Sequence, residues 1–582
     1  MNQETRQCQN CHNEFAIEPE DFDFYEKMKV PPPTFCPDCR LMRRMAWRNE
    51  RFLYRTKAVD SGNEIFSIYS PDTKAVVYDV KFWQSDGWDQ NASGREYDFN
   101  RPFFEQFKEL LSSAPLPSRT VNNLVNSDYV NQASDLKDCY LVFGSTYLEN
   151  CSYVDQSTRT KDCYESTSLT DCELCCGCFF DQRCYKALYC EYCEDSQDII
   201  FCRDCIGCSN CVGCANLRNK SYCIFNQQYT KDEYNKKLEE LMSSSRQKMQ
   251  MLKDKSYAFW KINPIRYIRG RHNSNTTGEY ISNSKNVHKC YRIDDGENLK
   301  FCQFLYNGGG ARDSYDHYRF GGNTELIYEA ATAGTNASHI MFSDSCTDNS
   351  SDIQYSFRCI GSSHLFGCVT LHHKSYCILN KQYTKEEYEK ILSKIILHMN
   401  EMPYTDKEGR VYKYGEFFPL EISPYPYNVT VAQEFFPLTR QTSEDRGYRW
   451  EDIERKRYAA AIMPDDLPDS INDADNSLIG AVIQCKNYNK SLPYCPGAFK
   501  IIQQEMQYYK KMGVPLPQYC PNCRYIERMK QRNPISLWHR QCMCDKSNHG
   551  HEGKCPNEFE TSYAPDRPEI VYCENCYQQE TV

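Results

Sequence analysis

No stretch of about eighteen uninterrupted apolar residues occurs in the chain, so no ordinary membrane-spanning helix is expected. The polar opening MNQETRQCQN lacks the apolar centre of a secretory leader, and a cytoplasmic protein is expected. An excess of positive charge is missing too. With 69 Lys and Arg against 79 Asp and Glu, a net charge of -10, the whole surface is not built to coat nucleic acid, although a local basic face remains compatible with it. Histidine is scarce at 12 residues, and no Walker, dinucleotide-binding or hydrolase signature appears. Without a visible nucleophile, base and acid in one constellation, no enzymatic activity is expected. Cysteine, by contrast, is abundant: 35 in 582 residues, several in C-x2-C pairs, a usage that in a long cytoplasmic chain points to metal and away from a disulfide framework. The length implies two to four domains.

Two internal echoes organise the chain. Cys11, Phe15, Tyr25, Pro31, Cys36, Pro37, Cys39, Arg40, Arg44 and Arg48 recur 484 residues later as Cys495, Phe499, Tyr509, Pro515, Cys520, Pro521, Cys523, Arg524, Arg528 and Arg532. An ungapped register of this length means a duplicated module. Further on, Tyr69-Ser-Pro-Asp72 matches Tyr563-Ala-Pro-Asp566 at an offset of 494, so ten residues are inserted in the second copy, near His549 and His551. The second echo is Lys220-Ser-Tyr-Cys223, which recurs as Lys374-Ser-Tyr-Cys377, each followed by a helix. Thr230 with Glu233 and Thr384 with Glu387 have the spacing of capping boxes at those helix starts.

Ahead of each helix, Cys139, Cys151 and Cys163 stand twelve apart, as do Cys290, Cys302 and Ser314, a period that marks a solenoid. Two steps per turn, with one small residue of each step pointing inward, would give coils of roughly two dozen residues over 126–228 and about 275–382. The expected fold is therefore mixed and β-rich, with zinc modules at both termini flanking a duplicated parallel β-solenoid with helical caps. The expected order is an N-terminal zinc module at 1–90, a helical connector at 91–125, solenoid copies with their helices at 126–256 and 257–400, a Pro-rich connector at 401–480, and a double zinc module at 481–582.

Cys8-x2-Cys11 and Cys36-x2-Cys39 supply four thiolates, the number a closed tetrahedral zinc site needs. The second pair precedes Arg40–Arg48, a good helix former, so it falls at a helix start whose positive end favours thiolates. A knuckle, a hairpin and a pair at a helix start make a treble-clef-like module. In the C-terminal copy Leu492 stands where Cys8 would be, and Cys485 is the nearest substitute, giving Cys485, Cys495, Cys520 and Cys523; the enlarged loop adds little closure entropy. A third site is expected at Cys542, Cys555, Cys573 and Cys576, with Cys544 competing for the first place and His549 and His551 as secondary candidates in a Gly-containing loop. The corresponding N-terminal positions are Ala58, Ser61, Asp79 and Phe82, so that site is degenerate there. About three zinc ions per chain are expected.

Cys8-x2-Cys11, Phe15, Ile17, Phe24-Tyr25, Pro32-Pro33 and Cys36-x2-Cys39-Arg40 resemble the probable zinc-ribbon domain family, short bacterial modules without an assigned activity, and also longer Cys-rich proteins of candidate-phyla bacteria. The resemblance covers about fifty residues at each end. It implies a zinc fold and no reaction.

The first solenoid copy carries 16 Cys from Cys139 to Cys223. The run Cys202, Cys205, Cys208, Cys211 and Cys214 has a spacing compatible with an iron-sulfur or zinc site, but in the second copy Cys208 and Cys211 become Ser362 and Leu365, which favours inward packing of small thiols. Asp294, Asp295 and Asp313 raise a minor alternative, carbohydrate chemistry on a β-helix face. The favoured function is a non-catalytic zinc-binding scaffold with an unidentified protein partner and no membrane association. The runner-up is an RNA- or DNA-binding, ribosome-associated type of protein, using Arg40, Arg43, Arg44, Arg48, Arg524, Arg528 and Arg532 on phosphates. Against it stands the reading in which these Arg side chains pair with acidic residues of the solenoid.

Overall fold

The computed structural model describes residues 2–242, 244–306, 309–453, 461–490, 492 and 494–581. Part of the expected connector, 454–460, therefore lies outside the described residues. The fold is mixed and strand-rich, with parallel sheets and cysteine clusters near both termini. Two compact units form, and their assembly from the chain is crossed. One combines Met1–Thr120 with Ile268–Glu451 and Pro534–Leu537; the other combines Val121–Tyr267 with Asp452–Asn533 and Trp538–Val582. Each terminal cysteine module thus shares a unit with the parallel ladder more distant from it in sequence.

In the second of these units, Val121–Val125 pairs in parallel with Ala133–Lys137, which pairs with Thr146–Glu149 and then Thr158–Lys161, every partner twelve residues further on. The same step links Tyr185–Leu188, Gln197–Ile200, Ser209–Val212 and Ser221–Ile224. The chain thus returns beside itself every twelve residues, which corrects the expected two steps per coil. The physical reason lies in the backbone. Asp135, Asp138, Leu141, then Tyr147, Asn150, Tyr153 and Gln156 adopt left-handed φ, so the chain turns a corner every third residue and comes back after four. Asn and Asp tolerate this conformation better than other side-chain-bearing residues. They also brace it: Asn123 Nδ2 donates to Asp135 Oδ1 at 2.9 Å, and Asn126 Nδ2 to Asp138 Oδ1 at 3.0 Å.

With corners at every third residue, the residue after each corner is buried: Cys139, Val142, Ser145, Leu148, Cys151, Val154 and Ser157 are each at most 2% exposed. Small side chains are required there, and the polar ones must find partners close by. Ser145 Oγ accepts from the amide of Ser157 at 3.0 Å, while the thiols of Cys151 and Cys163 donate to carbonyls two residues back at 3.3 and 3.2 Å. Burial pushes the Cys163 and Cys190 thiols well up, so these are neutral packing groups.

The ladder of the other unit runs in parallel from Ser274–Ser282 to Ser375–Ile378, with less uniform steps: Lys285 pairs with Glu297, Glu297 with Arg312, and Thr324 with Ala311. Its aromatic core gathers Trp47, Phe103, Phe107, Tyr355, Phe417 and Phe418. Trp47 and Phe107 lie 4.5 and 4.7 Å from the Phe418 ring. Each ladder is followed by a helix, Lys231–Leu241 or Lys385–Glu401, whose start carries the capping box of Thr230 with Glu233 or Thr384 with Glu387. Among the described residues, no helix is long and apolar enough to cross a membrane.

Candidate metal centres

Three cysteine tetrads have their sulfurs within 4.8 Å of one another: Cys8, Cys11, Cys36 and Cys39; Cys485, Cys495, Cys520 and Cys523; and Cys542, Cys555, Cys573 and Cys576. Each is built the same way. An antiparallel pair presents the first ligands, Glu4–Gln7 with Glu14–Ile17, Ile483–Gln484 with Ala498–Phe499, or Trp538–Gln541 with Glu558–Thr561. The last two ligands sit at a helix start, with Cys36, Cys520 and Cys573 each in the N-cap position. Pro37 and Pro521 suit the first helical position, where no amide hydrogen is needed.

The spacing of the sulfurs matches a metal and not a disulfide. Cys11 lies 3.7 Å from Cys36, Cys485 3.8 Å from Cys523, and Cys520 and Cys555 each 3.9 Å from Cys495 and Cys573. A disulfide would need about 2 Å, whereas four sulfurs at about 2.3 Å from one ion stand about 3.8 Å apart along the tetrahedron's edges. All are free thiols. Donors surround them as they would thiolates: Asn10 Nδ2 reaches Cys39 Sγ at 3.1 Å, the Cys520 amide reaches Cys485 Sγ at 3.3 Å, and the Cys573 amide reaches Cys542 Sγ at 3.2 Å. Burial pushes the Cys573 thiol up, but the Asn557 amide, the Cys576 backbone and the neighbouring thiols bring it down to about 7. These groups can hold metal ions.

A fourth cluster was not apparent from spacing as a site of its own. Cys544, His549, His551 and Cys576 also place their ligand atoms within 4.8 Å. Cys544 therefore does not compete with Cys542 for one position, since the two belong to different clusters. The degenerate N-terminal counterpart keeps the hairpin without the ligands. Tyr54–Lys57 pairs with Glu64–Ser67, and Ala58 N donates to Asn63 O at 2.9 Å just as Cys542 N donates to Asn557 O at 2.9 Å. Asp79 caps the short helix Val80–Trp83 by accepting from the Lys81 amide, and buried Val77, Val80 and Trp83 fill out this end of the module.

The Arg side chains after the helix-start pairs face inward, which, of the two readings, favours pairing with acidic residues over an exposed phosphate-binding row. Arg40, Arg43, Arg44, Arg48, Arg524 and Arg528 are buried, and Arg532 is half-buried beside Met529. Arg40 meets Asp316 at 2.8 Å, Arg43 meets Glu329 and Glu416 at 2.8 and 3.1 Å, and Arg44 meets Asp316 and Glu329 at 2.9 and 3.3 Å. Burial disfavours the charge on Arg40 and Arg43, but these carboxylates outweigh it and hold both above the ordinary range. Arg48 pairs with Glu50 at 2.5 Å. In the other unit Arg524 pairs with Glu165 and Glu505, and Arg528 lies 3.7 Å from Asp155.

The two modules dock alike. Phe24 stacks on Tyr315 at 3.9 Å, and its counterpart Tyr508 stacks on Tyr164 at 3.8 Å. The residue after each ladder tyrosine, Asp316 or Glu165, receives Arg40 or Arg524. The duplication therefore includes the contact between module and ladder, and the helix that carries two cysteines of a tetrad also carries the docking cations.

The run Cys202–Cys214 forms none of the clusters found among the described residues; its cysteines occupy the buried positions of the ladder. Asp294 accepts from Asn283 at 2.9 Å, Asp295 meets Arg312 at 3.3 Å, and Asp313 meets Lys27 at 3.1 Å. These three carboxylates take part in ladder bracing and ion pairs.

No family model and no curated protein matches the chain. Among solved structures it is similar to a crystal structure of a "putative acetyltransferase" from Desulfovibrio desulfuricans G20, at 8% identity over 50% of this chain and 86% of that one, with a TM-score of 0.10. A likeness of that degree carries no argument about fold or activity.

Proposed function

We propose that the chain is a non-catalytic zinc-binding scaffold in which closed four-cysteine sites fold the helices that lock each terminal module onto a parallel β-solenoid. The observation that carries this reading is the double duty of Pro37–Met45 and Pro521–Met529, each with a cysteine ligand at its N-cap and buried Arg on its body. A tetrad of thiols leaves no open coordination position for substrate, so the metal's role is to hold structure. Zinc suits it best, being redox-inert and content with four sulfurs. A ladder with a twelve-residue step and four buried positions per step in one unit, a less regular parallel ladder in the other, and a helix after each support the solenoid with helical caps. The many free thiols fit a reducing compartment, and the cytoplasm is the proposed location. The partner is proposed to be protein. The Arg residues that would have met phosphates are engaged internally, so the geometry gives no support to nucleic-acid binding through them.

Metal analysis of anaerobically purified protein tests the reading. At least three zinc ions per chain are expected, with little iron. Stoichiometric iron with acid-labile sulfide, or fewer than three ions, would overturn it.

A further inference from the structure

We propose that the C-terminal module holds two ions, the second bound by Cys544, His549 and His551, with the Cys576 thiolate bridging it to the ion of the Cys542 tetrad. This fourth ion rests on the zinc-scaffold reading above and extends it. Cys544 Sγ lies 3.1 Å from His549 Nδ1, and Cys576 Sγ lies 3.4 Å from His551 Nε2. What distinguishes these contacts from chance neighbours is the other nitrogen of each ring. His549 Nε2 lies 3.1 Å from Glu580 Oε1, and His551 Nδ1 lies 3.0 Å from the Gly553 carbonyl. Both acceptors lack a proton to give, so the neutral form of each ring that these contacts favour donates its N–H to oxygen and turns its lone pair toward the sulfurs. That is the tautomer a metal ligand needs, fixed by an outer partner.

Charge points the same way. Four thiolates around one divalent ion leave a net charge of about −2 in a largely buried cluster, whereas five thiolates, two neutral imidazoles and two ions leave about −1. Thiolate sulfur has lone pairs enough to serve two ions. The insertion supplies independent support. The N-terminal copy, which has Ala58, Ser61, Asp79 and Phe82 in place of the tetrad, has Asp60 where Cys544 stands and lacks the ten-residue insertion near the two histidines. The ligands of both ions are missing together. The ion class is a divalent cation of borderline softness in a tetrahedral set of two sulfurs and two nitrogens, for which Zn2+ is the natural occupant and Co2+ a spectroscopic stand-in.

The full chain, stripped of metal anaerobically and reloaded with Co2+, is the sample to test. Four Co2+ per chain are expected for the wild type, and three for His549→Gln/His551→Gln and for Cys544→Ser, none of which is itself a ligand of the Cys542 tetrad. Because a shared thiolate couples two Co2+ spins, the wild type should show the paramagnetic resonance intensity of about two isolated ions. That readout does not depend on any variant folding. Three ions in the wild type, an unchanged four in the variants, or the full intensity of four uncoupled spins would each overturn the proposal while leaving the structural-zinc reading intact. Fewer than three ions in the wild type would sink that reading as well.

Discussion

Cys36→Ser is expected to release one zinc ion and unfold the N-terminal module. Cys36 is the N-cap of Pro37–Met45 and, in the reading proposed above, a zinc ligand, so its loss would remove a quarter of the coordination shell and the group that starts the helix. Structural zinc contributes on the order of 10 kcal/mol of apparent folding free energy in small modules, more than a segment of this size recovers from its own core. The consequence spreads beyond the metal. Phe24, Tyr25 and Arg40 would leave their places against Tyr315, Tyr328 and Asp316, exposing aromatic rings and stranding a buried carboxylate. Hydrogen exchange should therefore accelerate in Pro37–Met45 and also in Ala311–Phe320 and Thr324–Ala333, the strands it packs on. Asp79→Ala is the control. It removes a short helix's cap, so metal content should stay at the wild-type value and stability should fall by about 1 kcal/mol. Zinc loss from Asp79→Ala, or retention of all zinc by Cys36→Ser, would contradict the assignment of ligands.

Much of this arrangement was legible because the duplication and the clustering of cysteines into groups that can hold metal are written in identities and spacings. The offset of 484 aligns Cys36 with Cys520 and Arg40 with Arg524, and it also aligns Phe24 with Tyr508, whose rings turn out to make the same stack. The twelve-residue period of Cys139, Cys151 and Cys163 is the step of the ladder itself. That the chain returns beside itself after a single step was not legible, because glycine marks only a few of the corners, such as Gly144, Gly177, Gly207 and Gly213. Leu141, Tyr147 and Arg159 adopt left-handed φ alongside Asn and Asp, and only the Asn/Asp recurrence at Asn126, Asp138, Asn150 and Asp162 hints at the turn. The sequence leaves open, for a different reason, whether the arginines meet phosphates or acidic ladder residues. Their partners Asp316, Glu329 and Glu416 lie hundreds of residues away, and an Arg-rich helix reads as an exposed face until the ladder that neutralises it is in view. A usable signal existed in the phrase shared by Tyr164-Glu165 and Tyr315-Asp316, an acidic residue placed alike in both ladders. His549 and His551 stood near the inserted segment, but only the fold brings them together with Cys544 and Cys576 into a cluster that could hold a metal ion.

Arg44→Met is expected to lower the stability of its unit by about 3 to 5 kcal/mol, the usual cost of breaking a buried ion pair from one side. Arg40, Arg43 and Arg44 meet three carboxylates, Asp316, Glu329 and Glu416, in a cluster nearly closed to water. Three positive and three negative groups balance, and removing one cation leaves a carboxylate whose desolvation is no longer offset. Met approximates the stem of Arg, so the loss should come mainly from charge and hydrogen bonding and little from packing. Combining it with Asp316→Asn should restore part of the balance, with a coupling of about 0.5 to 3 kcal/mol between the two changes. Arg532→Gln, half-buried and outside the cluster, is the contrasting change, expected to stay within about 1 kcal/mol. Denaturant midpoints read all five chains, the wild type, Arg44→Met, Asp316→Asn, their double and Arg532→Gln, and zinc content should survive in each, since none of these residues is a tetrad cysteine. A phosphate-binding role makes the opposite forecast: Arg44→Met would leave stability unchanged while weakening RNA binding and flattening its salt dependence by about 0.7 to 0.9 per lost contact. Finding that pattern in a fully folded chain would move Arg44 from the interior network back to a nucleic-acid surface.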